Sequence, residues 1–290
     1  MDLGEVGALL QLLDDPDEKV QTHIREKILS MGPGVVPYLE KAWENAFDAI
    51  MQSKLEKLIH SIQFENCNRA LHIWYLTGCE DLLQGMLIVD KYQHPDLDEE
   101  KVKTAIEAIS KDVWLELNEE LSPLEKIQVL NHVFYEIHHF SGNTTDFHSP
   151  QNSFFHLVLE TRKGSPLTLG VLYSIVAQSL NIPVYGVNLP EHFILGYQNN
   201  HETFSFLNED LILFYINAFN KGSIFERKEI DSFLQQIKVE PNEYYFKVCS
   251  NQDIIIRLLN NLINSYKKLG YPEKMDELKV LLKTVSKKED

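Results

Sequence analysis

Long apolar runs are missing from this chain. The longest, residues 211–216 (LILFYI), spans six positions, whereas a membrane-spanning helix needs about 20. Cysteine is scarce: Cys67, Cys79 and Cys249 are the only three in 290 residues. They are odd in number, far apart and without metal-ligand spacing. That excludes a disulfide framework and leaves small buried side chains as their reading. Basic charge is also short, with 27 Lys and Arg against 43 Asp and Glu and a formal net charge of −16. A nucleic-acid backbone partner requires clustered cations, as does an anionic membrane surface, so neither is expected. The start of the chain, MDLGEVGALLQLLDD, has no basic segment ahead of its apolar residues. It does not read as a secretory signal, and the cytoplasm is the expected location. There is no Walker loop, no G-x-G-x-x-G fingerprint and no nucleophile elbow, so no cofactor is expected.

What is present is ordinary globular composition, 44% hydrophobic and 24% charged. The pattern predicts an α+β, helix-rich chain in three regions: helical residues 1–115, a core over 116–240 and a helical hairpin over 241–290. In the first region Leu9, Leu12 and Leu13 lie at helical spacing before a D-D-P-D turn. Val20, Ile24, Ile28 and Leu29 then share one face until Gly32-Pro33-Gly34 breaks the helix. A third helix is expected over 35–47. This unit resembles a HEAT-type repeat, with a plain helical bundle as the equal alternative, because an array needs about three copies. An apolar helix over 81–89 and an acidic helix start after Pro95-Asp96-Leu97-Asp98 follow. Residues 124–140 read as one helix with Ile127, Leu130, Phe134 and Ile137 on a stripe. Residues 141–152 (SGNTTDFHSPQN) are a polar loop.

Ser165-Pro166 opens a strong helix. Serine caps well, and proline at the first helical position loses nothing, since its missing N–H would be unpaired anyway. Leu169, Leu172, Tyr173, Val176, Ala177 and Leu180 keep the helical period until Asn181 and Pro183 end it. The tract 184–197 reads as two strands around Leu189-Pro190-Glu191, with further strands over 203–206 and 211–216.

Four features in order carry a family resemblance. They are Asn152-Ser153-Phe154 before a helix, Arg162-Lys163-Gly164-Ser165-Pro166 opening the next, Gly186-Val187-Asn188 with His192-Phe193, and Arg257-Leu258-Leu259-Asn260-Asn261-Leu262. Over residues 81–269 the chain resembles transglutaminase-like proteins, more narrowly the bacterial SirB-one type that joins such a core to tetratricopeptide-like helices. The resemblance implies a papain-related core with an antiparallel sheet. In that core a cysteine at the N-terminus of the central helix is activated by the helix dipole, a histidine serves as base and a carboxylate orients it. By position the cysteine falls at or near Pro166, the histidine at His192 and the carboxylate at Asn217. Proline carries no nucleophile. Thr168 and Ser165 are the nearby hydroxyls that could stand in, and only if His192 were within hydrogen-bond reach.

Five histidines, 132, 138, 139, 148 and 156, crowd a short stretch. They lack zinc-motif spacing, and the single Glu136–His139 pair has no second copy as a ferritin-like site would need, so no metal is expected. At the C-terminal end Ile254, Leu258, Leu262 and Tyr266 mark one helix, and Met275, Leu278, Leu281 and Leu282 a second after Gly270-Tyr271-Pro272. This unit resembles a tetratricopeptide repeat or else a hairpin covering the core. The residue pattern therefore leans away from catalysis. It points to a non-enzymatic protein that binds a protein or peptide through a degenerate core, around Thr168, His192 and Asn217. The alternative is an amide or ester hydrolase or acyltransferase using Thr168 or Ser165 with His192.

Overall fold

The computed structural model describes residues 3–199 and 212–286. The chain opens with α1 (Leu3–Gln11), α2 (Glu18–Ser30), α3 (Val36–Asn45) and the 28-residue α4 (Ala49–Leu76). It continues with α5 (Leu82–Gln93) and α6 (Glu99–Glu116). Acidic residues start most of them: Asp17, Asp48, Asp81 and Asp98 each accept a first-turn N–H of the helix that follows. Part of the chain's negative charge thus satisfies orphan helix donors and suits the positive end of the helix dipole.

Two apolar clusters divide these helices. Val6, Leu13, Ile24, Ile28, Val35 and Leu39 pack with Leu55, Leu58 and Ile62 of α4. Further along α4, Cys67, Leu71 and Trp74 belong to the main core, with residues of α5 and α6 and of much of the chain beyond. A helix of this length spans roughly 42 Å, enough to serve both. The clusters therefore meet inside α4.

Residues 124–140 do not form the single expected helix. A capping box at Ser122 and Glu125 starts α7 (Pro123–Asn131), and a π turn over His132–Ile137 follows. The wider turn keeps Ile127, Leu130 and Phe134 buried but rotates Ile137 outward, to 44% exposure. His138 and His139 are carried off the helical register with it, and His139 ends at φ 57°.

The short strand β1 (Ser141–Gly142) pairs in parallel with β2 (Lys163–Gly164) on either side of α8 (Phe155–Thr161). The central helix α9 (Pro166–Ser179) is apolar on nearly every side and buried throughout most of its length. Next come β3 (Val184–Leu189), β4 (His192–Gln198), β5 (Ile212–Asn217) and β6 (Ser223–Phe225), an antiparallel sheet in sequential order. The expected strand over 203–206 lies outside the described residues. α10 (Arg227–Gln236) covers the sheet face opposite α9.

Because both faces are covered, the strands read as nearly continuous apolar runs while still alternating inward partners. Phe193, Leu195 and Tyr197 of β4 join the main core around α9. Val187, Leu189, Ile194 and Tyr215 join Ile230 and Leu234 of α10. Two glycines fix Phe193. A Cβ on Gly170 of α9 would come within 2.9 Å of its ring, and one on Gly186 of β3 within 2.5 Å. The chain closes with α11 (Asn251–Leu269) and α12 (Pro272–Ser286), joined through Gly270 at φ 78°. α12 lies along α4 and α5, where Thr284 Oγ1 donates to Asn68 Oδ1 at 2.8 Å and Tyr92 donates to Glu277. Among the described residues no helix is long and apolar enough to cross a membrane.

Candidate functional site

The first turn of α9, the β3–β4 hairpin and α11 enclose a cleft of about 750 Å³. Ser165, Pro166 and His192 all line it, so two of the three expected triad positions share one cavity. Pro166 occupies the first helical position and Ser165 caps it. The Ser165 hydroxyl accepts from Thr168 N–H at 3.2 Å and lies 3.0 Å from Thr168 Oγ1.

Thr168 does not line this cleft. It is fully buried, and its Oγ1 donates to the Asn152 carbonyl at 2.7 Å while accepting from Ser165 N–H at 3.0 Å. The cause is the capping box: the third helical residue must turn back to the cap, which points it into the core. Asn152 in turn is held by the loop ahead of it. Its side chain donates to the Asp146 carbonyl at 2.6 Å and accepts from Asn143 at 2.9 Å. The Asn152-Ser153 motif thus pins the loop to the entrance of α9.

His192 and Asn217 are brought together. Leu195 stands opposite Ile216 in the β4–β5 register, so His192 and Asn217 share the other face of the sheet. The Asn217 side chain accepts a hydrogen bond from His192 and also caps the next turn, accepting from Phe219 and Asn220 N–H at 3.1 Å each. Phe193 is the residue pointed at α9, while the His192 ring sits 6.3 Å from the Phe233 ring of α10. No hydrogen bond joins His192 to Ser165 or Thr168 among the described residues. Burial lowers the His192 pKa below the usual imidazole value, and the nearby Arg257 charge lowers it further, against the Asn217 bond. No cysteine is among the described residues lining the cleft, and burial pushes Cys67 and Cys249 up to about 12 and also raises Cys79.

Arg257 received no role from sequence reasoning beyond its place in a matched run. In the structure it reaches from α11 to the hairpin, where Nη1 donates to Asn188 Oδ1 and to the Leu189 carbonyl. A charged residue inside the apolar run Ile254-Ile255-Ile256-Arg257-Leu258-Leu259 was the signal available.

A second cavity of about 550 Å³ lies beside α5, α6 and α8. His156 reaches it with its Nδ1 2.8 Å from the fully buried Asp90, but no Ser, Thr or Cys lines it. The crowded histidines separate: His138 bonds Asp112, His148 bonds Lys268 and His156 bonds Asp90. Among the described residues no three His, Cys, Asp or Glu side chains gather closely enough to hold a metal ion.

Comparison with known proteins agrees with this architecture. The chain is similar to human F-box only protein 21, 27% identical over 226 residues, covering 70% of this chain and 35% of that protein. A UPF0162 protein of Xylella fastidiosa is 32% identical over 115 residues, 39% of this chain and 41% of the relative. A UPF0162 protein of Vibrio cholerae is 27% identical over 154 residues, 53% of each chain. The chain spans about a third of the length of the F-box relatives. No solved structure matches. Residues 100–260, which contain the sheet, α9 and most of the cleft wall, match the transglutaminase-like superfamily, and the chain belongs to that superfamily.

Proposed function

We propose that this is a non-enzymatic protein that binds a protein or peptide segment in the cleft between α9 and α11. One observation carries the reading: among the described residues no hydroxyl or thiol is hydrogen-bonded to His192. The first residue of α9 is Pro166, and the Thr168 and Ser165 oxygens are spent on closing the helix entrance. His192 is drawn toward α10 and Asn217 instead. The scaffold is of the SirB-one kind, with residues 1–115 as a helical region, 116–240 as the degenerate core and 241–290 as a tetratricopeptide-like hairpin. The cytoplasm is its proposed location, and nucleic acid and membrane are not proposed partners. The rival hydrolase reading retains one support, since Ser165 and His192 line the same cleft.

The test is a panel of amide and ester substrates offered to the parent and to His192→Ala. The expected result is no turnover by either. Turnover by the parent that disappears in His192→Ala would replace the binding reading with the enzymatic one.

A further inference from the structure

The cleft carries the opposite charge from the chain around it. The sequence has 27 Lys and Arg against 43 Asp and Glu. On the described cleft wall, Arg257, Lys267 and Lys268 face a single carboxylate, Glu191. The two lysines have an ordinary explanation, because they lie in the last turn of α11, where cations offset the helix dipole. Arg257 has no such explanation. It stands mid-helix, more than half buried, and its hydrogen bonds go only to neutral oxygens of Asn188 and Leu189. No carboxylate pairs with it among the described residues. A guanidinium keeps its charge and carries five N–H donors, of which Nη1 supplies two. A buried cation of this kind is costly until an anion joins it.

The neighbours of Arg257 extend the pattern. Arg257, Asn261, Asn264 and Lys268 are four, three and four residues apart on α11, and all four line the cleft. That spacing makes one polar stripe along the helix. From Arg257 to Lys268 the helix rises roughly 16 Å, the reach of about five residues of extended peptide. The two amides can each donate to and accept from a peptide backbone.

We propose that the cleft takes an acidic peptide segment in extended form, with one carboxylate against Arg257 and a second, about five residues along, at Lys268. The inference rests on the binding reading above and adds the chemistry of the ligand. The overall charge of −16 would oppose such a ligand at long range. Its recognition is therefore local, and salt, which screens the repulsion as well as the pairing, has a weak net effect.

The test uses fluorescence anisotropy with a short labelled peptide carrying two glutamates at that spacing, and an isosteric control with both changed to glutamine. The full chain is compared with Arg257→Gln, Lys268→Gln and Asn264→Trp, the last filling the cleft. Arg257 also holds the hairpin, so thermal unfolding is recorded for each variant, and Lys268→Gln at an exposed site keeps the test valid if Arg257→Gln unfolds. The expected result is binding of the glutamate peptide, about tenfold weaker binding of the glutamine control, about two- to fivefold weakening in Lys268→Gln and loss in Asn264→Trp. Equal affinity for both peptides, abolished by Asn264→Trp, would overturn the anionic ligand and leave the binding reading standing. Binding of neither peptide, nor of an array of unrelated sequences, would overturn both. Inorganic phosphate or an oligonucleotide competing more strongly than the glutamate peptide, with the same dependence on Lys268, would overturn the carboxylate assignment.

Discussion

The entrances of α8 and α9 solve the same problem in different ways. Each helix begins in the core with unpaired N–H groups, and each has a histidine with a polar partner on its periphery. At α8 the neighbouring Phe154 gives no cap, and the Asp90 carboxylate arrives from α5. It accepts from the N–H groups of Phe155 and His156 at 2.8 Å each and from the His156 side. Burial pushes the Asp90 pKa up and these donors oppose the rise. At α9 the Ser165–Thr168 box does the capping within the helix itself, and the His192–Asn217 pair stands apart from it. The intact carboxylate–histidine pair is thus a structural cap, while the histidine at the expected triad position is paired with Asn217, an amide, and Pro166 opens the helix beside it. Residue type alone does not separate the two; what each oxygen is bonded to does.

Breaking the distant cap should have the largest effect. Asp90→Ala leaves two buried N–H groups and His156 unpaired, and about 3–5 kcal/mol of stability should be lost. Urea denaturation of parent and variant measures this. A loss below about 1 kcal/mol would mean that water or a rearranged loop replaces the carboxylate.

The local cap should matter less. Thr168→Val removes the Asn152 bond and half of the box, with an expected loss of about 1–2 kcal/mol and no change in peptide affinity. A stable Thr168→Val protein that no longer binds peptide would place this residue in the cleft's chemistry after all.

The smallest effect is the pH dependence that His192 contributes. The folded pKa of His192 is lowered by burial, so the unfolded chain takes up that proton first as pH falls below about 6.5. The His192 contribution to stability is present above that pH and fades as pH falls through the folded value. Replacing His192 with Gln should flatten the stability–pH profile on the acid side, read from denaturation midpoints at a series of pH values. An unchanged slope would mean that His192 is solvated.

Much of this was legible in the sequence where the signal was local. Ser165-Pro166, the apolar period through Ala177 and the stop at Asn181 located α9, and Asn181 indeed adopts φ 58°. The hairpin around Leu189-Pro190-Glu191 and the α11–α12 pair were equally readable, because turn residues and periodic apolar positions need no distant partner. The rest depended on such partners. α4 was not anticipated, and its two halves face different clusters. The π turn after α7 broke the period that Ile137 had promised. Asp90 receives no role until α8, 65 residues along the chain, is brought to meet it. Thr168 looked available because its spacing from Ser165 suits a first-turn hydroxyl, and only the fold reveals the Asn152 carbonyl that occupies it. Arg257 needed the hairpin beside it to become a cleft residue.

The central claim is that the cleft holds a chain segment without cutting it. Its most direct test is a titration of a glutamate-bearing peptide into the parent and Asn264→Trp, with the peptide mass followed by mass spectrometry over the same incubation. Saturable binding, lost in Asn264→Trp, with the peptide intact throughout, is the predicted result. Appearance of cleaved or acyl-transferred peptide in the parent, absent in His192→Ala, would contradict it.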